Sequence, residues 1–230
     1  MKSHFNNLIF YIPDLKQKRI LDLGCGKGGF LVEAALNGAV ASGLEKSRAY
    51  IDLALKKADE NNCHITIKEG LAENIPYDEN SFDFVNMSEV IEHVDDPQQV
   101  LQELRRILSI GGQAYLSVPN RFSLKDTHFH LYFVNWLPRI LSDFFIGIFG
   151  KHKDYRDASA GRQRLKEMHY YTFGQINKIL KSLDLVALDM REEKIKRKFK
   201  KRYLRFMALC AYRFLRFFYF DTFHILVTKR

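Results

Sequence analysis

The sequence predicts an α/β fold, a doubly wound and mostly parallel sheet with helices on both of its faces. Two features predict it. Short apolar segments alternate with segments of helical periodicity from residue 19 to residue 118, and a glycine-rich turn at residues 24–29 closes the first apolar segment. Parallel neighbours need a crossover connection, usually a helix, so this alternation favours a parallel sheet.

The first half of the alternation extends to residue 68. Ser47 is placed to begin the second helix, because a serine hydroxyl can accept a backbone N–H of the first turn. The predicted elements are, in order, a strand at 19–23, a helix at 30–36, a strand at 40–44, a helix from Ser47 through Lys57 and a strand at 64–68.

The second half adds two strands and the helix between them. Asp96 and Pro97 form an N-cap and first-turn pair, since proline is accepted at the first helical position. The predicted elements are a strand at 82–87, a helix from Asp96 to Leu108 that Gly111 and Gly112 end, and a strand at 114–118.

Beyond residue 120 the pattern is less regular. It comprises an aromatic-rich stretch at 131–149, a polar loop at 150–168, a helix at 172–183 and strands at 185–190 and 223–228. We interpret residues 1–230 as one domain with a lid insertion at 121–168 and a basic insertion at 191–220.

Composition places the chain in a reducing compartment and shows that its charge is local. The three cysteines have neither disulfide-framework nor zinc-site spacing, and the N-terminus lacks the features of a signal peptide, so a cytoplasmic setting is expected. The formal net charge is +9. Residues 191–220 hold eleven Lys or Arg and two acidic residues, so they contain the whole net charge.

The turn at residues 22–29 predicts a nucleotide site. It lies between a strand and a helix, where glycines let the backbone approach a ligand and the helix offers free N–H donors. Glu45 ends the next strand, where a carboxylate can accept both hydroxyls of a ribose. Gly24, Gly26 and Gly29 also fit a dinucleotide fingerprint, so the glycines alone leave S-adenosylmethionine and NAD both open.

The chain resembles the class I S-adenosylmethionine-dependent methyltransferases, in the type 11 and 12 branch that includes the ubiquinone-biosynthesis O-methyltransferases. The resemblance covers residues 18–120 and weakly 169–185, and it implies a Rossmann-like seven-stranded sheet whose last strand is antiparallel. The blocks that carry it are ILDLGCGKGGF (20–30), GLEKS (43–47), EGLAENIPYDENSFDFV (69–85) and SEVIEHVDDPQQVLQELRRILSIGGQAYLSVPN (88–120).

The resemblance also implies which residues bind the cofactor. Gly24 and Gly26 would lie beside its methionine part, Glu45 on its ribose and Ala72 at its adenine. The family often has Asp where this chain has Leu71, which we expect to be an apolar neighbour of the adenine. The full expected set is Asp22, Gly24, Cys25, Gly26, Glu45, Leu71, Ala72 and Ser88.

Four residues are candidates for the methyl-transfer chemistry. Glu89, Glu92 and His93 are spaced i, i+3 and i+4, which would put them on one face of a helix just beyond the fourth strand. In some relatives the resembling motif, with a later histidine, binds a divalent metal such as Mg²⁺, and His169 is the candidate for that histidine. Proton transfer by His93 or His169 and a structural role are the alternatives.

The basic insertion has three interpretations. Residues 202–216 would place Arg202, Arg205, Arg213 and Arg216 along one stripe of an amphipathic helix with apolar residues over the remainder. The segment could pack on the domain as a lid, dock at the inner face of an anionic membrane, or contact nucleic acid.

The expected function is therefore transfer of a methyl group to oxygen on a small-molecule acceptor that is apolar, quinone-like, a lipid or a lipid-linked glycan. RNA 2′-O-methylation is the second hypothesis, weakened because the aromatic residues form apolar runs instead of interleaving with the basic ones. A nucleotide-binding membrane adaptor without turnover is the third. The intact glycine turn and Glu45 argue against it.

Overall fold

A seven-stranded sheet forms the centre of the fold. The computed structural model describes residues 14–149 and 163–230, together with Phe5, Ile9 and Ile12. The strand order is β3-β2-β1-β4-β5-β7-β6. The strands are β1 (Arg19–Leu23), β2 (Val40–Glu45), β3 (Thr66–Glu69), β4 (Phe82–Met87), β5 (Leu108–Pro119), β6 (Leu185–Asp189) and β7 (Thr222–Lys229).

The direction of the strands confirms the predicted fold class. β3, β2, β1, β4 and β5 pair in parallel, and β7 is antiparallel to both β5 and β6. The order reverses between β1 and β4, and in open α/β sheets ligands bind at the carboxyl ends of the strands around such a switch point.

Seven helices accompany these strands in the described residues. Asp96 begins α3 as predicted, because its carboxylate accepts the backbone N–H groups of Gln98 and Gln99, both at 3.0 Å. The helices are α1 (Gly29–Leu36), α2 (Arg48–Glu60), α3 (Pro97–Ile107), α4 (Arg139–Phe149), α5 (Phe173–Ser182), α6 (Met190–Lys198) and α7 (Arg202–Arg216).

Helices cover both faces of the sheet, as the doubly wound fold requires. Neighbouring residues of β1 alternate between two buried clusters, with Ile20 in one and Leu21 in the other. The cluster that contains Leu21 includes the apolar side chains of α3 and α5, and the cluster that contains Ile20 includes those of α1 and α2. Period-two alternation along a strand and apolar stripes on the helices together account for this layering.

The prediction for Gly111 and Gly112 was wrong. Gly111 and Gly112 do not separate a helix from a strand, because β5 already begins at Leu108 and includes both glycines. Gly111 has a φ of 74°, and the pairing of β4 with β5 shifts register between Phe82 and Phe84. The glycines therefore accommodate an irregularity in the paired strands, which is a common use of glycine in a strand.

The segment predicted as a lid builds a small core of its own. Phe129, Val134 and Ile146 pack with Leu165, Met168 and Tyr170. Residues 150–162 of the predicted lid and its polar loop lie outside the described residues, as does the N-terminal stretch up to residue 13 apart from the three residues named above. The limits of the lid and of the basic insertion stay predictions.

The two basic residues in the last turn of α7 tie this helix to β6 and α6. Arg216 forms ion pairs with Asp189 at 2.8 Å and with Glu192 at 3.2 Å, and Arg213 contacts Glu192 at 2.9 Å. Tyr212, the buried residue of α7, donates its hydroxyl to Asp189. The apolar side chains of α7 point outward, and Phe206 and Phe214 are 69% and 70% exposed.

Candidate active site

The turn after β1 has the backbone geometry that its glycines predict. Gly24, Gly26 and Gly28 have φ values of 72°, 49° and 68°, a region that residues with a side chain rarely adopt. The N–H groups of Gly24 and Cys25 donate to the carbonyl of Leu44 at 2.8 and 3.1 Å, which ties the turn to the end of β2. A Cβ added at Gly26 would meet nothing within 4 Å, so the turn borders open space.

Glu45 is held against this turn. Its two carboxylate oxygens accept the backbone N–H groups of Gly26 at 2.9 Å and Ser47 at 3.0 Å, and the residue is buried. Each oxygen keeps a second lone pair, because a carboxylate offers about four acceptor positions. Glu45 is thereby held in one orientation beside the turn, with acceptor positions left on both oxygens.

Asp22 adds a second buried carboxyl group behind the turn. Asn86 on the adjacent strand β4 donates its amide to Asp22 at 2.6 Å. Burial raises the pKa of Asp22 to about 7; the hydrogen bond from Asn86 opposes the rise, and the negative charge of Glu45 adds to it. Two acidic groups beside one turn suit a cofactor that carries positive charge, as the sulfonium of S-adenosylmethionine does.

The other residues expected at the cofactor occupy different environments. Cys25 has a buried side chain that faces Gly43 in the core, so only its backbone faces the turn. Leu71 is 58% exposed, which leaves its side chain available as an apolar surface, whereas Ala72 packs partly on the core. The hydroxyl of Ser88 is 3.5 Å from that of Ser117 on β5.

An acidic and histidine-rich cluster lies next to the turn. Glu92, His93 and His128 each offer a ligand atom, and these atoms lie within 4.8 Å of one another. The loop that carries Glu92 touches the turn, because a Cβ added at Gly24 would lie 2.9 Å from the side chain of Val90. We call Glu92, His93 and His128 the histidine cluster.

Two of the four predicted chemistry-bearing residues belong to this cluster. The expected helix over Glu89–His93 is absent: these residues form a bend and a turn, and the helix begins only at Pro97. Glu89 has a φ of 56° and an exposed side chain, and its N–H donates to Ser117. The N–H of His169 donates to the carbonyl of Glu92 at 3.1 Å, so this contact is made by its backbone.

His128 was missed in the sequence analysis. It lies in the irregular segment after β5, where no motif spacing relates it to Glu92 or His93. Its Nε2 is 3.7 Å from Glu92 Oε1, and its ring meets that of His93 edge-to-face at a centroid distance of 5.1 Å. Only the path of the chain through the lid region brings it there.

The donor set of the histidine cluster fits a divalent ion. Imidazole nitrogen and carboxylate oxygen bind zinc and other transition metals. The later histidine in this cluster is His128, whereas the sequence analysis expected His169. Glu92 and His128 are both buried, which lowers the local dielectric and strengthens their electrostatic interactions.

Comparisons with known proteins find similarity to methyltransferases. Residues 21–116 match the model of the methyltransferase domain family. An ubiquinone biosynthesis O-methyltransferase of Coxiella burnetii is 36% identical over 108 residues, which are 46% of this chain and 46% of that protein. One from Pseudomonas syringae pv. tomato is 35% identical over 142 residues, 57% of this chain and 58% of that protein. The chain thus spans about half the length of the curated relatives it matches.

The fold extends the match to nearly the whole chain. The structure of an S-adenosylmethionine-dependent methyltransferase from Mesorhizobium loti covers 99% of this chain and 98% of its own, with a TM-score of 0.65 and 17% identity. At that identity the likeness shows the fold alone. The sequence match covers residues 21–116, which include the cofactor turn and Glu45, and over this part the chain is similar to the methyltransferase domain family.

Proposed function

We propose that the chain transfers the methyl group of S-adenosylmethionine to an oxygen atom of an apolar acceptor. The position of the histidine cluster carries this proposal. Its loop contacts Gly24 of the cofactor turn, so groups able to take a proton lie next to the expected methyl donor. The partial match to ubiquinone biosynthesis O-methyltransferases supports oxygen as the methylated atom and a quinone-like or lipid-linked acceptor.

Methyl transfer to a hydroxyl oxygen requires that the acceptor is positioned and that its proton is removed. The cofactor supplies a methyl group that its sulfonium already activates, so alignment of the acceptor accounts for much of the rate. Glu45 and the glycine turn hold the ribose and methionine ends. His128 or His93 would take the hydroxyl proton as the oxygen–methyl bond forms and the methyl–sulfur bond breaks, which leaves the cofactor as the neutral thioether. If the histidine cluster holds a divalent ion, that ion would make the hydroxyl more acidic.

The acceptor class is tested by labelling. Protein incubated with methyl-labelled S-adenosylmethionine and with separate lipid, RNA, protein and small-molecule fractions of a lysate should transfer label to the lipid fraction. Glu45→Ala is the control, and it should transfer much less label at a low concentration of S-adenosylmethionine. Label in the RNA fraction would show that the acceptor is a nucleic acid and not a lipid. No label in any fraction would refute transferase activity and favour an adaptor protein.

We also propose that the chain docks on anionic membranes through α7 and the basic residues before it. The structure alters the surface that the sequence suggested. Arg213 and Arg216 contact the body of the protein, so the outward apolar side of α7 is the part available to lipid. Lys198, Lys200, Lys201 and Arg202 are exposed beside it. In the described residues, no helix combines the length and apolarity needed to cross a membrane.

The expected affinity of this surface is substantial. A basic residue near an anionic leaflet contributes about 1 kcal/mol, so the four exposed cations contribute several kcal/mol before any aromatic side chain inserts. Phe206 and Phe214 would add apolar contact at the interface. An apolar acceptor dissolved in the same membrane would then be close to the enzyme.

Liposome flotation tests the docking. Wild type should float with anionic vesicles and not with neutral ones, and both a Lys198→Glu/Lys200→Glu/Lys201→Glu/Arg202→Glu variant and a Phe206→Ser/Phe214→Ser variant should remain in solution. A Lys56→Glu/Lys181→Glu variant, changed on α2 and α5, is the matched control and should float. Wild type that stays in solution at low salt would refute docking and leave α7 as a lid.

A further inference from the structure

The loop that carries two members of the histidine cluster begins where β4 leaves the sheet. We call this loop, residues 88–93, the site loop. The pairing of β4 with β5 ends at Met87 and Leu116, although β5 itself continues to Pro119. The backbone ladder with β5 therefore does not fix the direction in which the site loop departs, and another contact has to do so.

Ser117 supplies this contact from β5. Its hydroxyl oxygen accepts the backbone N–H of Glu89 at 2.7 Å and lies 3.5 Å from the hydroxyl oxygen of Ser88. Ser117 is only 2% exposed, so water has little access to compete for the hydrogen bond from Glu89. A side chain of β5 thus holds the site loop at the point where the backbone pairing has ended.

Glu89 depends on such a contact because of its backbone conformation. Its φ is 56°, in the left-handed region that residues with a side chain rarely adopt. The side chain of Glu89 is exposed, so its packing does not hold this conformation. We therefore expect the hydrogen bond to Ser117 to keep Glu89 in the left-handed region.

The conformation of Glu89 determines where the rest of the site loop lies. Val90 follows directly and contacts the cofactor turn, because a Cβ added at Gly24 would lie 2.9 Å from its side chain. The N–H of His93 donates to the carbonyl of Val90 at 2.9 Å, so the loop turns immediately after this contact. A rotation about the N–Cα bond of Glu89 would change the direction of every following residue, Glu92 and His93 included.

We propose that Ser117 is a positioning residue, whose hydroxyl holds Glu89 in the left-handed region and thereby keeps Glu92 and His93 beside the cofactor turn. The consequence for turnover rests on the proposed function, in which the histidine cluster acts next to the methyl donor. Ser117 acts through the site loop and not on the reacting atoms. Small displacements of reacting groups slow catalysis strongly, so the rate should respond to this one hydroxyl.

A glycine at position 89 provides the decisive test. Ser117→Ala removes the acceptor and leaves the N–H of Glu89 without its partner. It should slow the transfer of label from methyl-labelled S-adenosylmethionine to the lipid fraction of a lysate by about tenfold at saturating cofactor. Glycine adopts a positive φ without strain, so Ser117→Ala should slow transfer by about twofold or less when it is made in a Glu89→Gly protein.

Ser109→Ala is the matched control, because it makes the same substitution at the other end of β5. The hydroxyl of Ser109 donates to the carbonyl of Asn80 at 3.0 Å and accepts from Arg19 at 2.7 Å. Its loss should lower the melting temperature, as the loss of the Ser117 hydroxyl should, but leave the transfer rate of the folded protein unchanged. A rate that falls only in Ser117→Ala therefore reports on the site loop and not on stability.

Hydrogen exchange of the Glu89 amide measures the positioning directly. In protein without cofactor, this N–H should be protected in wild type and in Ser109→Ala, and it should exchange at least about tenfold faster in Ser117→Ala. The measurement requires neither acceptor nor turnover. Faster exchange in a protein that methylates nothing would therefore count against the proposed function alone.

Two results would overturn the proposal. One is an equal loss of transfer rate on Ser117→Ala in the wild-type and Glu89→Gly proteins, and the other is an exchange rate of the Glu89 amide that Ser117→Ala leaves unchanged. If Ser117→Ala does not fold, Ser117→Cys replaces it in both measurements. A thiol is close in size to a hydroxyl but is a weak acceptor, so the same two results would decide.

Discussion

Replacing Asp22 by Asn should stabilise the cofactor-free protein at neutral and alkaline pH. Burial raises the pKa of Asp22 from its usual 3.8 to about 7. Between these two values the folded chain binds more protons than the unfolded chain, so the free energy of unfolding falls as the pH rises through this window and levels off above about pH 7. Asn carries no titrating proton and removes this loss.

The size of the effect follows from the shift. Each pKa unit corresponds to 1.36 kcal/mol, so roughly three units give about 4 kcal/mol at pH 8 and about 1.5 kcal/mol at pH 5. The advantage of Asp22→Asn over wild type should thus grow by about 3 kcal/mol between these pH values. Asn can still accept the amide of Asn86, which keeps the contact between β1 and β4.

Urea unfolding of the two proteins at pH 5, 6, 7 and 8, without cofactor, measures this difference directly. Asp83→Asn is the matched control on the same sheet. The hydrogen bond and charge of Arg19 lower the pKa of Asp83, so its substitution should destabilise the protein by a constant amount over the same range. If the free energies of unfolding of wild type and Asp22→Asn differ by the same amount at pH 5 and pH 8, Asp22 does not titrate as inferred.

Three further predictions follow from the described contacts. Glu45→Ala should weaken S-adenosylmethionine binding at least about tenfold in calorimetry, because hydrogen bonds to a charged group are worth about 1.5–3 kcal/mol each. Wild type should not bind NAD. Tight NAD binding without a response to S-adenosylmethionine would refute the cofactor assignment. His128→Asn should lower kcat more than Glu89→Gln or His169→Asn, and equal losses would contradict a catalytic role for the histidine cluster. Activity that persists in a chelator would leave proton transfer as the role of the cluster. Arg216→Met should destabilise the protein by about 2 kcal/mol through the loss of its pairs with Asp189 and Glu192, whereas Arg202→Met should have little effect on the melting temperature.

Local sequence patterns predicted the glycine turn and the position of Glu45 beside it. The turn at residues 24–29 and Glu45 belong to one strand–helix–strand unit, β1-α1-β2. Their separation along the chain therefore determines their separation in the fold. Asp96 at the start of α3 was predictable for the same reason, since a cap involves neighbouring residues. Features that depend on one supersecondary unit can be read from a single sequence.

The histidine cluster could not be predicted from local sequence patterns. Spacing suggested a helical face for Glu89, Glu92 and His93, but the positive φ of Glu89 and its N–H bond to Ser117 hold this loop out of a helix. His128 reaches Glu92 only through the path that the chain takes in the lid segment. No residue near it in the sequence signals that path.

The orientation of α7 depended on residues from another element. Its amphipathic pattern predicts two unlike sides but not the side that docks. Asp189 and Glu192 lie at the end of β6 and the start of α6, and they draw Arg213 and Arg216 toward the body of the protein. The apolar side is left outward because of charges that precede Arg213 and Arg216 by more than twenty residues.

The place of α6 and α7 in the chain bears on how such a protein can change. β6 and β7 are adjacent and antiparallel, with Asp189 paired to Ile225, so a short hairpin turn could join them. The two helices occupy the position of that turn. They can be lengthened, exchanged or removed without breaking a hydrogen bond of the five parallel strands, which leaves the cofactor turn undisturbed. We expect descendants of one ancestral chain to differ most in this segment, and grafting it should transfer membrane attachment between relatives while their cofactor affinity stays the same.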